Sequence, residues 1–159
     1  MIRTAVLSLT AAAMLALTAA PSLAGPAEAA FLQKLTANWT GRGKLSGPDG
    51  GPIACRVVIS GGGQTAKYQG RCAIPDIATQ AFNGAISYDD AKHQYIARSV
   101  GGTVVGTRRG NSLVFTDSST TMAGTASSTM TMSPSSLVID FSLVDKKGQK
   151  SSSHIVFSK

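Results

Sequence analysis

Residues 53–72 read IACRVVISGGGQTAKYQGRC. Two runs of alternating apolar and polar residues flank a Gly-rich centre, the pattern of a β-hairpin. Ile53, Cys55, Val57 and Ile59 share one parity, opposed by Arg56, Val58 and Ser60. In the second run Ala66, Tyr68, Gly70 and Cys72 oppose Lys67, Gln69 and Arg71. Pairing Cys55 with Cys72 also pairs Val57 with Gly70, Ile59 with Tyr68 and Gly61 with Ala66, leaving Gly62 to Thr65 as the turn. One register thus aligns both cysteines and all the apolar residues. Opposed Cα atoms on adjacent strands lie about 4.5–5.5 Å apart, within disulfide range. A redox-active pair is the competing reading, but the C-x-x-C spacing that activates a thiol is missing.

The same period of two runs outward from this hairpin. Strands are expected at 38–46, 52–60, 65–74, 80–88, 93–100, 102–108, 112–117, 121–132, 136–144 and 151–158. Short strands at such regular spacing leave no room for βαβ crossovers. The expected fold is all-β: an antiparallel up-and-down barrel of about 8–10 strands. Residues 116–136 are rich in Ser and Thr; Met122, Met130 and Met132 share parity there, which reads as a polar strand with one Met-lined face. A loop is the other reading of that stretch. Trp39, Gly41, Gly43 and Leu45 are expected to face inward, as are Phe82, Gly84, Ile86 and Tyr88. Glycine recurs on the inward parity at 41, 43, 70, 84, 106 and 124. Sharp coiling of strands around a small barrel explains this, as does an open interior. Before the strands, PAEAAFLQKLTA (26–37) predicts one short helix, with Pro26 in its first turn and Phe31, Leu32 and Leu35 as its apolar stripe.

Residues 1–24, MIRTAVLSLTAAAMLALTAAPSLA, read as a secretory signal peptide: one basic residue, an apolar run, then Pro21 and the small residues of a cleavage site. The run is short for a membrane span, and no later run approaches that length. No cysteine follows it, which argues against a lipid anchor. The expected organisation is signal peptide 1–24, an N-terminal segment with the helix at 25–37, and a barrel domain at 38–159. The expected location is the periplasm or the exterior, where a disulfide persists.

The chain of 159 residues carries 15 basic and 8 acidic residues, a net charge of +7. Removing residues 1–24 removes Arg3 and no acid, leaving 14 basic against 8 acidic. With 43% hydrophobic and 14% charged residues it is not a disordered tail. The outward parity gathers Arg42, Lys44, Arg56, Lys67 and Arg71 into a basic face that would attract anionic surfaces. Aromatic stacking partners are missing from that face, which argues against nucleic acid.

No catalytic motif appears. There is no G-x-S-x-G, and SGGGQ (60–64) lacks the G-K-[ST] of a phosphate loop. His93 follows Asp89 and Asp90 in a segment that reads as a turn rather than a metal site, and His154 falls on the outward parity of the last strand. The chain is read as a non-enzyme without metal or cofactor.

The stretch LTANWTGRG (35–43) resembles the opening of calycin-type barrels: lipocalins, fatty-acid-binding proteins and nitrobindins. The resemblance covers about ten residues and the strand rhythm behind them. It implies a barrel that holds an apolar ligand; a nitrobindin would also ligate haem through a histidine near its C-terminus, where His154 is the positional match on the wrong parity. The order Trp39, Cys55, Cys72 is similar to that of bacterial secreted metalloprotease inhibitors, which insert an N-terminal segment into the protease, although the Trp-to-Cys interval departs from theirs. W-x-G-x-G at 39–43, C-R at 55–56 and G-R-C at 70–72 resemble small exported α-proteobacterial β-barrel proteins of unknown function.

The function expected from these features is non-enzymatic binding of a small, partly apolar ligand in the barrel, with Trp39, Tyr68, Phe82 and Tyr88 lining the site. The alternative is a protein-binding module, such as an inhibitor of a periplasmic hydrolase or protease, acting through the N-terminal segment or the basic face.

Overall fold

The computed structural model describes residues 24–48, 50–74, 78–122 and 124–159. The expected signal peptide, 1–24, lies outside the described residues except for Ala24. Helix α1 (Ala24–Leu35) is followed by ten strands: β1 (Ala37–Ser46), β2 (Gly51–Gly62), β3 (Thr65–Ile74), β4 (Ala78–Asp89), β5 (Gln94–Ser99), β6 (Gly102–Arg109), β7 (Ser112–Thr121), β8 (Gly124–Ser133), β9 (Ser136–Asp145) and β10 (Lys150–Ser158). Each strand pairs antiparallel with its neighbours in sequence, and β1 pairs with β10, which closes the barrel. Closure removes the unpaired edges that would otherwise invite aggregation.

The β2–β3 hairpin has the register expected from residues 53–72: Cys55 faces Cys72, Val57 faces Gly70 and Ile59 faces Tyr68. The two cysteine Cα atoms are 4.1 Å apart and the sulfurs lie at bonding distance. Ile53, Cys55, Val57 and Ile59 are buried, while the residues between them are exposed. Inward positions around the barrel are mostly apolar, and the cationic residues of β1–β3 point outward, the reverse of a lipid-facing barrel. No described helix is long and apolar enough to cross a membrane.

One expectation is corrected in the Ser/Thr-rich stretch. Residues 112–121 and 124–133 form two long strands, with Thr121 paired to Gly124. Met122 lies in a turn and is 90% exposed, so only Met130 and Met132 of the three methionines face inward. Parity counts residues along one strand and does not carry across a turn.

Ten strands enclose more space than side chains alone fill, since about eight already make an interior of side-chain width. Helix α1 fills one end. Its Ala-rich sequence favours the helix, and Phe31, Leu32 and Leu35 are buried against the barrel. Around them pack Trp39, Ile59, Ile86, Tyr95, Leu113 and Leu137. The Trp39 indole N–H donates to the Leu35 carbonyl at 3.1 Å, so the largest buried side chain also satisfies the end of the helix. Lys159 reaches back from the C-terminus, donating to the Lys34 carbonyl at 3.1 Å with its ammonium 5.0 Å from the Trp39 ring centre.

Four of the inward glycines, Gly41, Gly70, Gly84 and Gly106, have a local reason that strand coiling alone does not supply. Gly70 stands opposite Phe82, Gly84 opposite Tyr68 and Gly106 opposite Phe115. In each pair the ring lies where a Cβ would be: one on Gly70 would meet Phe82 Cζ at 2.2 Å, one on Gly106 would meet Phe115 Cε1 at 2.4 Å. The glycines seat the aromatic rings of neighbouring strands.

Candidate functional site

The end of the barrel opposite α1 is not filled. A cavity of about 430 Å³ opens there among β3 to β10. Its apolar wall is built across strands in register: Phe115 pairs with Met130, Met130 with Ile139, and Ile139 with Ile155. Phe82, Val104 and the Cys72 side of the disulfide complete that wall. Polar groups enter at Tyr68, Ser99, Asp117 and Ser128. Asp117 stands opposite Ser128, and it continues the inward parity of Leu113 and Phe115. The Tyr68 hydroxyl is raised above its ordinary range by burial, an effect reduced by its hydrogen bond with Ser99. A proton therefore stays on Tyr68 at neutral pH, and this hydroxyl can donate as well as accept.

Of the four aromatic residues expected to line a site, Tyr68 and Phe82 border this cavity. Trp39 is 1% exposed and lies in the packing beneath α1. Tyr88 packs edge-on against Tyr95, ring centres 5.0 Å apart, in a recess beside Glu28, His93 and Arg108. All four have inward parity, but the cavity occupies only one end of the barrel. Phe115, Met130, Ile139, Ile155, Asp117 and Ser128 also border the cavity and are not among the ligand-lining residues expected from the sequence; parity assigns them inward without assigning them a depth.

The closed end is fastened by a polar clamp. Glu28 accepts from the Arg108 guanidinium at 2.7 Å and also from the Tyr95 hydroxyl. The Arg108 guanidinium lies 4.1 Å from the Phe31 ring centre. Burial, then the hydrogen bond and charge of Glu28, hold the Tyr95 hydroxyl far above its ordinary range. Nothing in the sequence marked this clamp, because Glu28 and Arg108 are 80 residues apart.

The five expected cations do share a face. Arg42, Lys44, Arg56, Lys67 and Arg71 are exposed on the outward side of β1–β3, and those strands contain no Asp or Glu. Arg56 and Arg71 are direct cross-strand partners. His154 also faces outward, 2.6 Å from Asp140 on β9. In the β4–β5 turn, Asp89 accepts from the N–H groups of Ala91 and Lys92, and His93 adopts φ +51°. Neither histidine lines the cavity, so haem ligation of the kind implied by the nitrobindin resemblance does not fit these residues. Among the described residues no group of three or more His, Cys, Asp or Glu is placed to hold a metal.

No protein-family model and no curated protein matches the chain. Among solved structures it is similar to Rv2717c from M. tuberculosis, with a TM-score of 0.56 and 14% sequence identity over 80% of this chain and 94% of that one. At that identity the likeness concerns the barrel fold.

Proposed function

We propose that this chain is an exported, non-enzymatic, calycin-like barrel protein that holds a small, partly apolar ligand in the open end of its barrel. The observation that carries the reading is the cavity of about 430 Å³ with its wall of Phe82, Phe115, Met130, Ile139 and Ile155. Ligand cavities typically fall between about 300 and 1,000 Å³, with mostly apolar walls and a few polar groups. Export rests on the signal-like residues 1–24 and on the paired cysteines, which stay oxidised outside the cytoplasm. Native mass spectrometry of protein recovered from its own periplasm should find a bound small molecule, and an uncharged apolar dye should enter the emptied barrel. Protein that is always empty and takes up no dye would refute the reading.

A protein-binding module is the second reading, favoured by the acid-free cationic face of β1–β3. Helix α1 does not provide a free inhibitory arm, because Phe31, Leu32 and Leu35 are buried. A partner captured by the wild type and retained equally by an Arg56→Glu/Arg71→Glu variant would count against this surface.

A further inference from the structure

We infer that the cavity selects ligands with an apolar body and a cationic head, and that Asp117 sets this selectivity; the inference rests on the ligand-binding reading above. Asp117 is the one charged side chain among the described residues that border the cavity. No described cation lies within salt-bridge distance of it. Ser128, its cross-strand partner, and Ser99 and Tyr68 add hydroxyl oxygens on the same lining. An ammonium carries three donors and no acceptor. It therefore matches a carboxylate beside the Ser128 hydroxyl, while its alkyl chain occupies the apolar wall. A carboxylate head would meet Asp117 as a like charge.

The protein's net positive charge opposes a cationic ligand at long range. Salt screens that effect over about 8–10 Å, whereas Asp117 acts at contact. Asp117 is itself exposed, so the local attraction corresponds to about a fivefold preference rather than a hundredfold one.

The experiment uses three probes that share one chain: dodecylamine, dodecanol and dodecanoate. Each displaces N-phenyl-1-naphthylamine, an uncharged dye, from the mature protein. Dodecylamine should compete about fivefold better than dodecanol, and dodecanoate should be the weakest. Asp117→Asn should erase the advantage of the amine and leave dodecanol unchanged. Asp117→Lys should invert the order, which guards against reading a folding defect as lost selectivity; circular dichroism checks both variants. Equal competition by all three probes, or an amine preference that survives Asp117→Asn, would overturn the inference while leaving the cavity as a ligand site. Failure of the dye and of every probe to bind would overturn the ligand-binding reading, and this inference with it.

Discussion

The Phe157 ring covers Gly41, its registered partner on β1, so closely that a Cβ on Gly41 would lie 2.5 Å from Phe157 Cδ1. Phe157 is 2% exposed, so its ring would have to shift within the packed interior. Overpacking of this kind costs about 1–3 kcal/mol. Gly41→Ala should therefore lower the urea-unfolding free energy by that amount. Gly101 serves as the control, since among the described residues its Cβ position meets Ser99 Oγ at 3.5 Å, an ordinary van der Waals contact. Gly101→Ala should stay within about 0.5 kcal/mol of wild type. Equal effects at the two sites would refute ring seating as the role of Gly41.

The Cys55–Cys72 bridge closes a loop with a sequence separation of 17. By the chain-entropy model, a loop of this size contributes about 3 kcal/mol. The Cys55→Ala/Cys72→Ala protein should be destabilised by about that much. The unfolded, unreduced wild type should show no reactive thiol, and labelling of two thiols would disprove the bridge.

Tyr95 links stability to alkaline pH. Its hydroxyl is raised by burial first and by Glu28 second, so the folded state holds the proton more tightly than the unfolded chain. The resulting stability is complete below about pH 10, the unfolded tyrosine value, and declines as pH rises above it. Tm should fall progressively as pH rises above about 10 for this reason. Tyr95→Phe should flatten part of that fall while costing about 1 kcal/mol at neutral pH for the lost hydrogen bond. Tyr68 shifts in the same direction, so some slope remains. An alkaline slope identical in wild type and Tyr95→Phe would contradict the assignment.

Arg56 and Arg71 face each other with no acid on β1, β2 or β3 to offset them. Directly opposed like charges destabilise a strand pair, and an opposed unlike pair stabilises it by about 0.2–1 kcal/mol. Arg71→Glu should thus raise stability by roughly 0.5–1 kcal/mol at low salt, and the gain should shrink in 1 M salt. A gain independent of salt would point to a cause other than charge.

Strand number, the cysteine register and the inward or outward side of most residues were legible in the sequence. These depend on the period of two along one chain segment and on the pairing of adjacent hairpin strands. Residues 53–72 carried that information because the cysteine pair and three further inward pairs agree on a single register. The turn at Met122 was misread because Ser and Thr supply no apolar contrast to mark where β7 ends. Depth along the barrel axis was not legible. Trp39, Tyr68, Phe82 and Tyr88 all point inward, yet Tyr68 and Phe82 reach the cavity while Trp39 and Tyr88 pack at the closed end. Height accumulates through the stagger of ten strands and through the end at which α1 docks, and both are set by contacts between residues far apart in the chain. The local alternation of this sequence determined which residues would form an interior. Only the tertiary structure decided which half of that interior is filled by the helix and which half is left open beside Asp117.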